Sequence, residues 1–257
     1  MHWFADFLYL YAFGMSGAVA FVPEKSIGRY FFKFHAILAL VLIVVATLIG
    51  RPLLAASKSP MGTVAGIAAI AFGITVLLVV ATSVSVRAPL RVELLWMPIS
   101  TGVLFTVFEG IAVLGLPMGL LLALHLITCA AMLGSSLIAM SLGHWYLNDA
   151  SLSFDHLVGL TRWFVIACGA KLVVSGVYFA LGFKEFWRVA FEFEGIYLWT
   201  RLLAGGAFSL VLALMAYACA KQKSNQSATG ILYVAVMFVL VGEVMSLYLT
   251  LGKGTPL

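Results

Sequence analysis

Charged residues are scarce in this sequence, and their scarcity excludes a water-soluble protein. Only 10% of the 257 residues are Asp, Glu, Lys or Arg, against about 25% in a typical soluble domain. Hydrophobic residues make up 63% of the chain, and the mean hydropathy is +1.12. Such a chain cannot cover a water-facing surface. We therefore predict a single transmembrane helical domain over residues 1–257, embedded in a lipid bilayer.

Cysteines are also few, and the common enzyme signatures are missing. Cys129, Cys168 and Cys219 lie in apolar stretches without CxxC spacing, which indicates packing residues and not a disulfide set or a metal cluster. The sequence has no Walker A motif, no HExxH and no GxSxG with a plausible triad. The net charge of +5 is divided among short loops, so no nucleic-acid partner is expected. Any redox or hydrolytic activity would need partner subunits, and no metal site is predicted.

Long apolar segments are what the sequence does contain. A helix needs about 20 apolar residues to cross the hydrocarbon core of a membrane. Windows between charged residues, Pro and Gly define eight such segments, at roughly 3–22, 32–50, 61–83, 94–116, 118–143, 157–182, 196–220 and 228–251. The predicted fold is all-α, a polytopic bundle of about eight transmembrane helices.

The basic residues of the loops predict the orientation. Cytoplasmic loops carry an excess of Lys and Arg. The loops after segments 1, 3, 5 and 7, with the start of segment 6, hold Lys25, Arg29, Lys33, Arg87, Arg91, Arg162, Lys221 and Lys223. The other loops hold Arg51, Lys58, Lys184 and Arg188, and acidic Glu185, Glu192 and Glu194 accompany the last two. This bias places the odd-numbered loops in the cytoplasm and both termini outside. Residues 184–194 alternate bulky apolar and charged types, which fits an interfacial amphipathic helix, a docking surface or an ordinary connector.

Six ionisable residues lie inside the apolar segments. A charge in hydrocarbon is costly, so such residues usually face a bundle interior and mark a functional path. They are Asp6, Glu109, His125, Lys171, Arg201 and Glu243. Counted along the segments, nearly all lie in the outer half of the bundle. The alternative is a set of structural ion pairs or edge residues that reach water, which suits Asp6 and Arg201 best. Tyr9, Tyr178, Tyr197 and Tyr248 could add hydroxyl groups to this region.

Glu109 and His125 are predicted to lie at similar depth on neighbouring helices. Each is eight residues from Pro117, in the Gly115–Gly119 stretch that must form a tight outer turn. A carboxylate and an imidazole at that depth can share a proton. Lys171 and Glu243 offer a second pair of proton-exchanging groups.

The histidines leave a second possibility open. Two histidines on different helices can ligate a b-type haem, and His35, His125 and His144 are the candidates. His35 and His144 lie near the predicted cytoplasmic face. His144 is followed by Trp145 and Tyr146, which also fits an aromatic belt at the membrane surface.

Eight spans, external termini and ionisable residues grouped toward the outer face resemble the quinone-reactive membrane anchor subunits of the dimethyl sulfoxide reductase and polysulfide reductase type. The stretch 241–251, Val-Gly-Glu243-Val-Met-Ser-Leu-Tyr248-Leu-Thr-Leu, is similar to the closing helix of that group. The sequence departs from the pattern near Leu247, where the group often has Arg.

The resemblance implies an integral membrane subunit of a respiratory electron-transfer complex in a bacterial cytoplasmic (inner) membrane. Such a subunit binds menaquinone or ubiquinone and exchanges electrons with an iron–sulfur or multihaem cytochrome partner in a hetero-oligomer. Because quinone chemistry needs proton donors and acceptors, we expect Glu109 and His125 in the catalytic role. Lys171, Glu243, Arg201 and Asp6 are expected to bind quinone. The alternatives are a membrane b-type cytochrome, a small proton-coupled transporter or channel, and a non-catalytic anchor or assembly subunit.

Overall fold

The structure, a computed structural model, describes residues 2–23, 27–56, 60–84, 92–148, 153–193 and 195–253. Helices are its only regular elements within these ranges, so the all-α prediction is confirmed. They are α1 (His2–Val19), α2 (Arg29–Ala56), α3 (Pro60–Val84), α4 (Trp96–Leu114), α5 (Met118–Asn148), α6 (Asp155–Leu181), α7 (Phe183–Ala190), α8 (Gly195–Lys221) and α9 (Asn225–Gly252). A 3₁₀ turn, Val92–Leu95, leads into α4.

Seven of these described helices are long and apolar enough to cross a membrane, namely α2 to α6, α8 and α9. Large apolar side chains such as Leu48, Ile67 and Val173 are more than 60% exposed on them. Because water-soluble monomers rarely expose extended apolar surface, these faces suit lipid. Helix α1 has 18 residues, carries the charged Asp6 and is not among these seven.

The chain divides into two compact units, Met1–Gly134 and Ser135–Leu257. In the N-terminal unit, α1 packs on α2 and α4, and α3 packs on the same two helices. In the C-terminal unit, α8 packs on α6 and α9, and α7 packs on the start of α8. Helix α5 contributes its first half to one unit and its second half to the other.

Glycines allow helices within each unit to approach closely. A Cβ atom on Gly14 of α1 would overlap the backbone of Ala130 in α5, and one on Gly134 would overlap Gly14. In the C-terminal unit, a Cβ on Gly242 of α9 would overlap the backbone of Gly205 in α8. Small residues serve this purpose in membrane bundles because they bring backbones into van der Waals contact.

The predicted tight turn between segments 4 and 5 is present. Helix α4 ends at Leu114 and α5 begins at Met118. Gly115 has φ +68°, a conformation that residues with a Cβ rarely adopt. Its N–H donates to the Ile111 carbonyl at 2.8 Å and ends the helix.

The segment between α6 and α8 contains the short helix α7. Phe186 and Val189 are buried against Leu198 of α8 and Leu249 of α9, whereas Arg188 is 58% exposed. The helix is therefore amphipathic, and its use as a docking surface stays a prediction. Of the charges that predict orientation, Lys25, Lys58, Arg87, Arg91 and Glu194 lie outside the described residues.

Candidate functional site

A large pocket lies among α1, α2, α3 and α4 of the N-terminal unit. Its volume is about 570 Å³, within the range of roughly 300–1,000 Å³ that ligand pockets have. Most of its wall is apolar, including Ile43, Ile70 and Phe105. The lining side chains that can form hydrogen bonds are Asp6, Tyr9, Thr47 and Glu109. A mostly apolar wall with a few polar groups is the usual composition of a small-molecule site.

Helices α1 and α4 bring the two carboxyl groups of this pocket together. The residues of α1 contact those of α4 in the opposite order along the sequence, so α1 and α4 are antiparallel. Asp6 interacts electrostatically with Glu109, the Tyr9 ring lies 5.5 Å from the Phe105 ring, and the Phe13 ring lies over Gly102. The spacings of three and four residues between successive contacts keep all six residues on facing sides of the helices.

Tyr9 and Thr47 form a hydrogen bond whose direction can be assigned. The Thr47 hydroxyl donates to the Ile43 carbonyl at 2.8 Å, so its single proton is used. The Tyr9 hydroxyl, 2.6 Å from Thr47 Oγ1, must therefore be the donor in that bond. Because both hydroxyl protons are engaged, the two hydroxyl groups can only accept hydrogen bonds from a ligand. A donor to a ligand carbonyl in this pocket must come from Asp6 or Glu109 in its protonated form.

Asp6 is 6% exposed and faces the pocket. Among the described residues, no hydrogen bond or ion pair engages the carboxylate of Asp6 or that of Glu109. Two carboxyl groups that interact electrostatically disfavour a doubly charged state because like charges repel. Such a pair is better suited to exchanging protons with a ligand than to carrying two permanent negative charges.

Glu109 and His125 face different directions although they lie at similar distances from the turn. Gly110 is the residue of α4 that contacts Gly119 and Ala123 of α5. Glu109 lies about 100° around α4 from Gly110, and His125 lies about 200° around α5 from Ala123. His125 is fully buried, but it does not line the pocket among the described residues. The structure thus brings Glu109 to Asp6 and not to His125, whose catalytic role stays a prediction.

Lys171 and Glu243 form a buried ion pair in the C-terminal unit. Lys171 Nζ lies 2.9 Å from Glu243 Oε2, and the two side chains are 4% and 1% exposed. The same ammonium group lies 3.5 Å from Ser246 Oγ, one turn along α9 from Glu243. The charges compensate each other, which agrees with the structural alternative stated for these residues. Their role in quinone binding stays a prediction.

Arg201 is 4% exposed and begins a π-helical segment of α8, Arg201–Phe208. The Ser209 hydroxyl donates to the Ala204 carbonyl at 2.7 Å, at the end of that segment. Gly205 contacts Gly242 of α9, so the segment lies against the helix that carries Glu243. The six ionisable residues of the apolar segments therefore separate into one set in each unit, with Asp6, Glu109 and His125 in the first and Lys171, Arg201 and Glu243 in the second.

Haem ligation by His35, His125 or His144 stays a prediction, and the structure shows the surroundings of two of these histidines. His35 faces a cavity of about 20 Å³, far below the size of an ordinary cofactor pocket. His144 Nδ1 forms a hydrogen bond with the Tyr233 hydroxyl at 3.1 Å. In the part of the chain that the structure describes, no group of three or more His, Cys, Asp or Glu residues is arranged to hold a metal ion.

Thr47 is the polar residue of the pocket lining that the sequence did not single out. A threonine in an apolar helix commonly bonds to its own backbone, so its type and position carry no signal. Tyr9 has a usable signal, because it lies three residues after Asp6 and must share its helix face. No protein-family model, curated protein or solved structure matches this chain.

Proposed function

We propose that this chain is an integral membrane subunit that binds a quinone or quinol in the pocket of its N-terminal unit. The observation that carries the proposal is that the carboxyl groups of Asp6 and Glu109, which interact electrostatically, both line a mostly apolar pocket of about 570 Å³. A quinone needs an apolar site for its ring and tail. It also needs groups that donate and accept protons at its oxygens.

The residues of the pocket supply the proton chemistry. Oxidation of a quinol releases two protons and two electrons. Asp6 and Glu109 can accept the protons in turn, and the Tyr9 hydroxyl has lone pairs that can accept a hydrogen bond from a ring hydroxyl. In the reverse direction the same carboxyl groups donate. The electrons must pass to another protein, and the class of partner proposed is an iron–sulfur or haem subunit. The chain is thus one part of a quinone-linked oxidoreductase.

We also propose that α1 is an eighth span and that both termini lie outside a bacterial cytoplasmic membrane. Support for the span comes from the antiparallel packing of α1 on α4, one of the seven apolar helices. Support for the orientation comes from the basic residues of the odd-numbered loops. In this arrangement the carboxyl pair lies in the outer half of the bundle.

Binding of a short-chain ubiquinone to the purified protein in mild detergent tests the pocket. Asp6→Asn and Glu109→Gln keep the size of each side chain but remove the exchangeable carboxyl proton. We expect each substitution to weaken binding about tenfold, since a hydrogen bond to a charged or acidic group contributes about 1.5 kcal/mol or more. Isothermal titration calorimetry on the detergent-solubilised protein measures the dissociation constants.

Glu192→Gln is the matched control, because Glu192 is 49% exposed and belongs to the C-terminal unit. It should bind ubiquinone as the unchanged protein does. A lipid tail held by the apolar wall alone would be insensitive to all three substitutions. Equal affinity in Asp6→Asn, Glu109→Gln and the control would therefore contradict the proposal. Co-purification of an iron–sulfur or haem protein would identify the electron-transfer partner.

A further inference from the structure

A second cavity lies in the N-terminal unit, lined by the same helices α1 to α4 and by Leu95 just before α4. Its volume is about 20 Å³, and a single buried water needs about 10–15 Å³. Two of the lining side chains are polar, His35 of α2 and Ser16 of α1. The others include Val76 of α3 and Pro98 of α4. The cavity is therefore large enough for one water and has polar groups on two helices to hold it.

The tautomer of His35 follows from its hydrogen bond. Nδ1 lies 2.8 Å from the Phe31 carbonyl, and a carbonyl can only accept, so Nδ1 carries a proton. In the neutral ring, Nε2 is then an acceptor. His35 is 3% exposed, and Nε2 has no hydrogen-bond partner among the described residues. The bond to Phe31 orients the ring and leaves Nε2 available for a ligand, as a backbone carbonyl does for many functional histidines.

Ser16 completes the polar wall of this cavity. Its hydroxyl donates to the Ala12 carbonyl at 2.9 Å, which leaves lone pairs on Oγ. A water in the cavity can donate one hydrogen to His35 Nε2 and the other to Ser16 Oγ. Buried waters typically have two to four such partners.

Along α1, the lining residues of the two cavities lie at different heights, and Phe13 lies between them. Along α1, Ser16 is seven residues from Tyr9, or about 10 Å. Phe13 lies between these positions and meets Phe72 of α3 edge-on, with ring centroids 6.2 Å apart. Phe13 is 6% exposed and Phe72 is fully buried. An apolar constriction of this kind excludes water.

A pair of hydroxyl groups lies beside the aromatic contact. Thr75 and Thr101 are 3.2 Å apart between α3 and α4. Thr101 lies between Pro98 of the small cavity and Phe105 of the large one. Polar groups are therefore present on both sides of Phe13 along α1, and the Thr75–Thr101 pair lies at the level where the Phe13 ring meets Gly102 of α4.

We propose that His35 and a bound water form the inner proton-binding site of a proton route that runs through α1–α4 to the Asp6–Glu109 pocket. The Phe13–Phe72 contact closes the route at rest. A proton arriving from the end of the bundle that carries Arg29 and Lys33 binds Nε2 and leaves from Nε2. Nδ1 keeps its own proton, which it donates to the Phe31 carbonyl. The route rests on the proposed function in one respect, that its other end is the quinone pocket.

Proton entry into liposomes that contain the purified protein and an entrapped pH-sensitive dye tests the route. With potassium and valinomycin to balance charge, a pH step gives the rate of proton entry per protein. Phe72→Ala removes one side of the constriction, and we expect at least a tenfold faster rate than in the unchanged protein. Adding His35→Phe to Phe72→Ala should return the rate to within about twofold of that of the unchanged protein, because the acceptor Nε2 is lost.

Phe164→Ala is the matched control, since Phe164 is a fully buried phenylalanine of the C-terminal unit. It should not raise the rate. A leak in Phe72→Ala that His35→Phe leaves unchanged, or an equal leak in Phe164→Ala, would overturn the proposal. If Phe72→Ala does not fold, solid-state NMR of the unchanged protein with ¹⁵N-labelled histidine decides. Magnetisation transfer from water to His35 Nε2 supports the site, and its absence refutes it.

Ubiquinone binding separates this proposal from the proposed function. We expect Phe72→Ala and His35→Phe to bind ubiquinone with unchanged affinity, because neither Phe72 nor His35 lines the larger pocket. If the unchanged protein fails to bind ubiquinone, the proposed function falls. The dependence of proton entry on His35 still decides the route.

Discussion

Neutralising one member of the Lys171–Glu243 ion pair should destabilise the C-terminal unit strongly. Nζ and Oε2 are 2.9 Å apart, and the side chains are 4% and 1% exposed. With an effective dielectric constant of about 20, the attraction at this distance is about 6 kcal/mol. The desolvation of two buried ions offsets much of that gain. Losing one partner removes the attraction but keeps the desolvation of the other, which costs about 3–5 kcal/mol.

A double-mutant cycle tests this reasoning. Glu243→Gln and Lys171→Met each leave one buried charge, and each should lower the free energy of unfolding by about 3–5 kcal/mol. The double variant leaves none, so it should lie within about 2 kcal/mol of the unchanged protein. Unfolding by SDS in mixed micelles, followed by circular dichroism, measures the four free energies. The expected coupling is therefore at least about 4 kcal/mol.

The Arg188–Glu192 pair is the control for this cycle. Its atoms are 3.3 Å apart, but its side chains are 58% and 49% exposed. Glu192→Gln should cost no more than about 1 kcal/mol, as exposed pairs usually do. Additive effects of Glu243→Gln and Lys171→Met, or single effects as small as that of Glu192→Gln, would show that the pair carries no net charge coupling.

Two pairs of substitutions test the N-terminal unit by thermal unfolding in detergent. Gly14→Val should lower the melting temperature sharply because its Cβ would overlap the Ala130 backbone. Gly17→Ala should not, because no atom lies within 4 Å of the added Cβ. Equal effects of the two substitutions would refute the close contact of α1 with α5. Tyr9→Phe removes the 2.6 Å bond to Thr47 and should cost about 1 kcal/mol. Thr47→Val should add little to Tyr9→Phe, and fully additive losses would contradict the shared bond.

Features that depend on neighbouring residues in the chain could be predicted well. The apolar segments predict the helices because a backbone in hydrocarbon must satisfy its own hydrogen bonds. The Gly115–Gly119 stretch predicts the turn between α4 and α5 because glycine and proline restrict the local conformation. The chemical types of the buried residues also mark them for attention, since a charge in an apolar helix needs a partner or a role.

Direction around a helix could not be predicted in the same way. Depth counting places Glu109 and His125 level with each other, but a change of one residue turns a side chain by about 100°. Which face of α4 meets α5 depends on the fit of Gly110 against Gly119 and Ala123. That fit involves two helices at once, so the pattern of one segment does not contain it.

The sequence by itself determined that this protein belongs in a membrane, where most of its helices lie and that six ionisable residues fall inside the apolar segments. These properties follow from hydropathy and local backbone preferences. Only the tertiary structure decided the partners of those residues. It set Asp6 beside Glu109 on a pocket, and it joined Lys171 to Glu243 in an ion pair. The reason is that close packing of small residues between helices selects the facing sides, and that selection exists only when the helices meet.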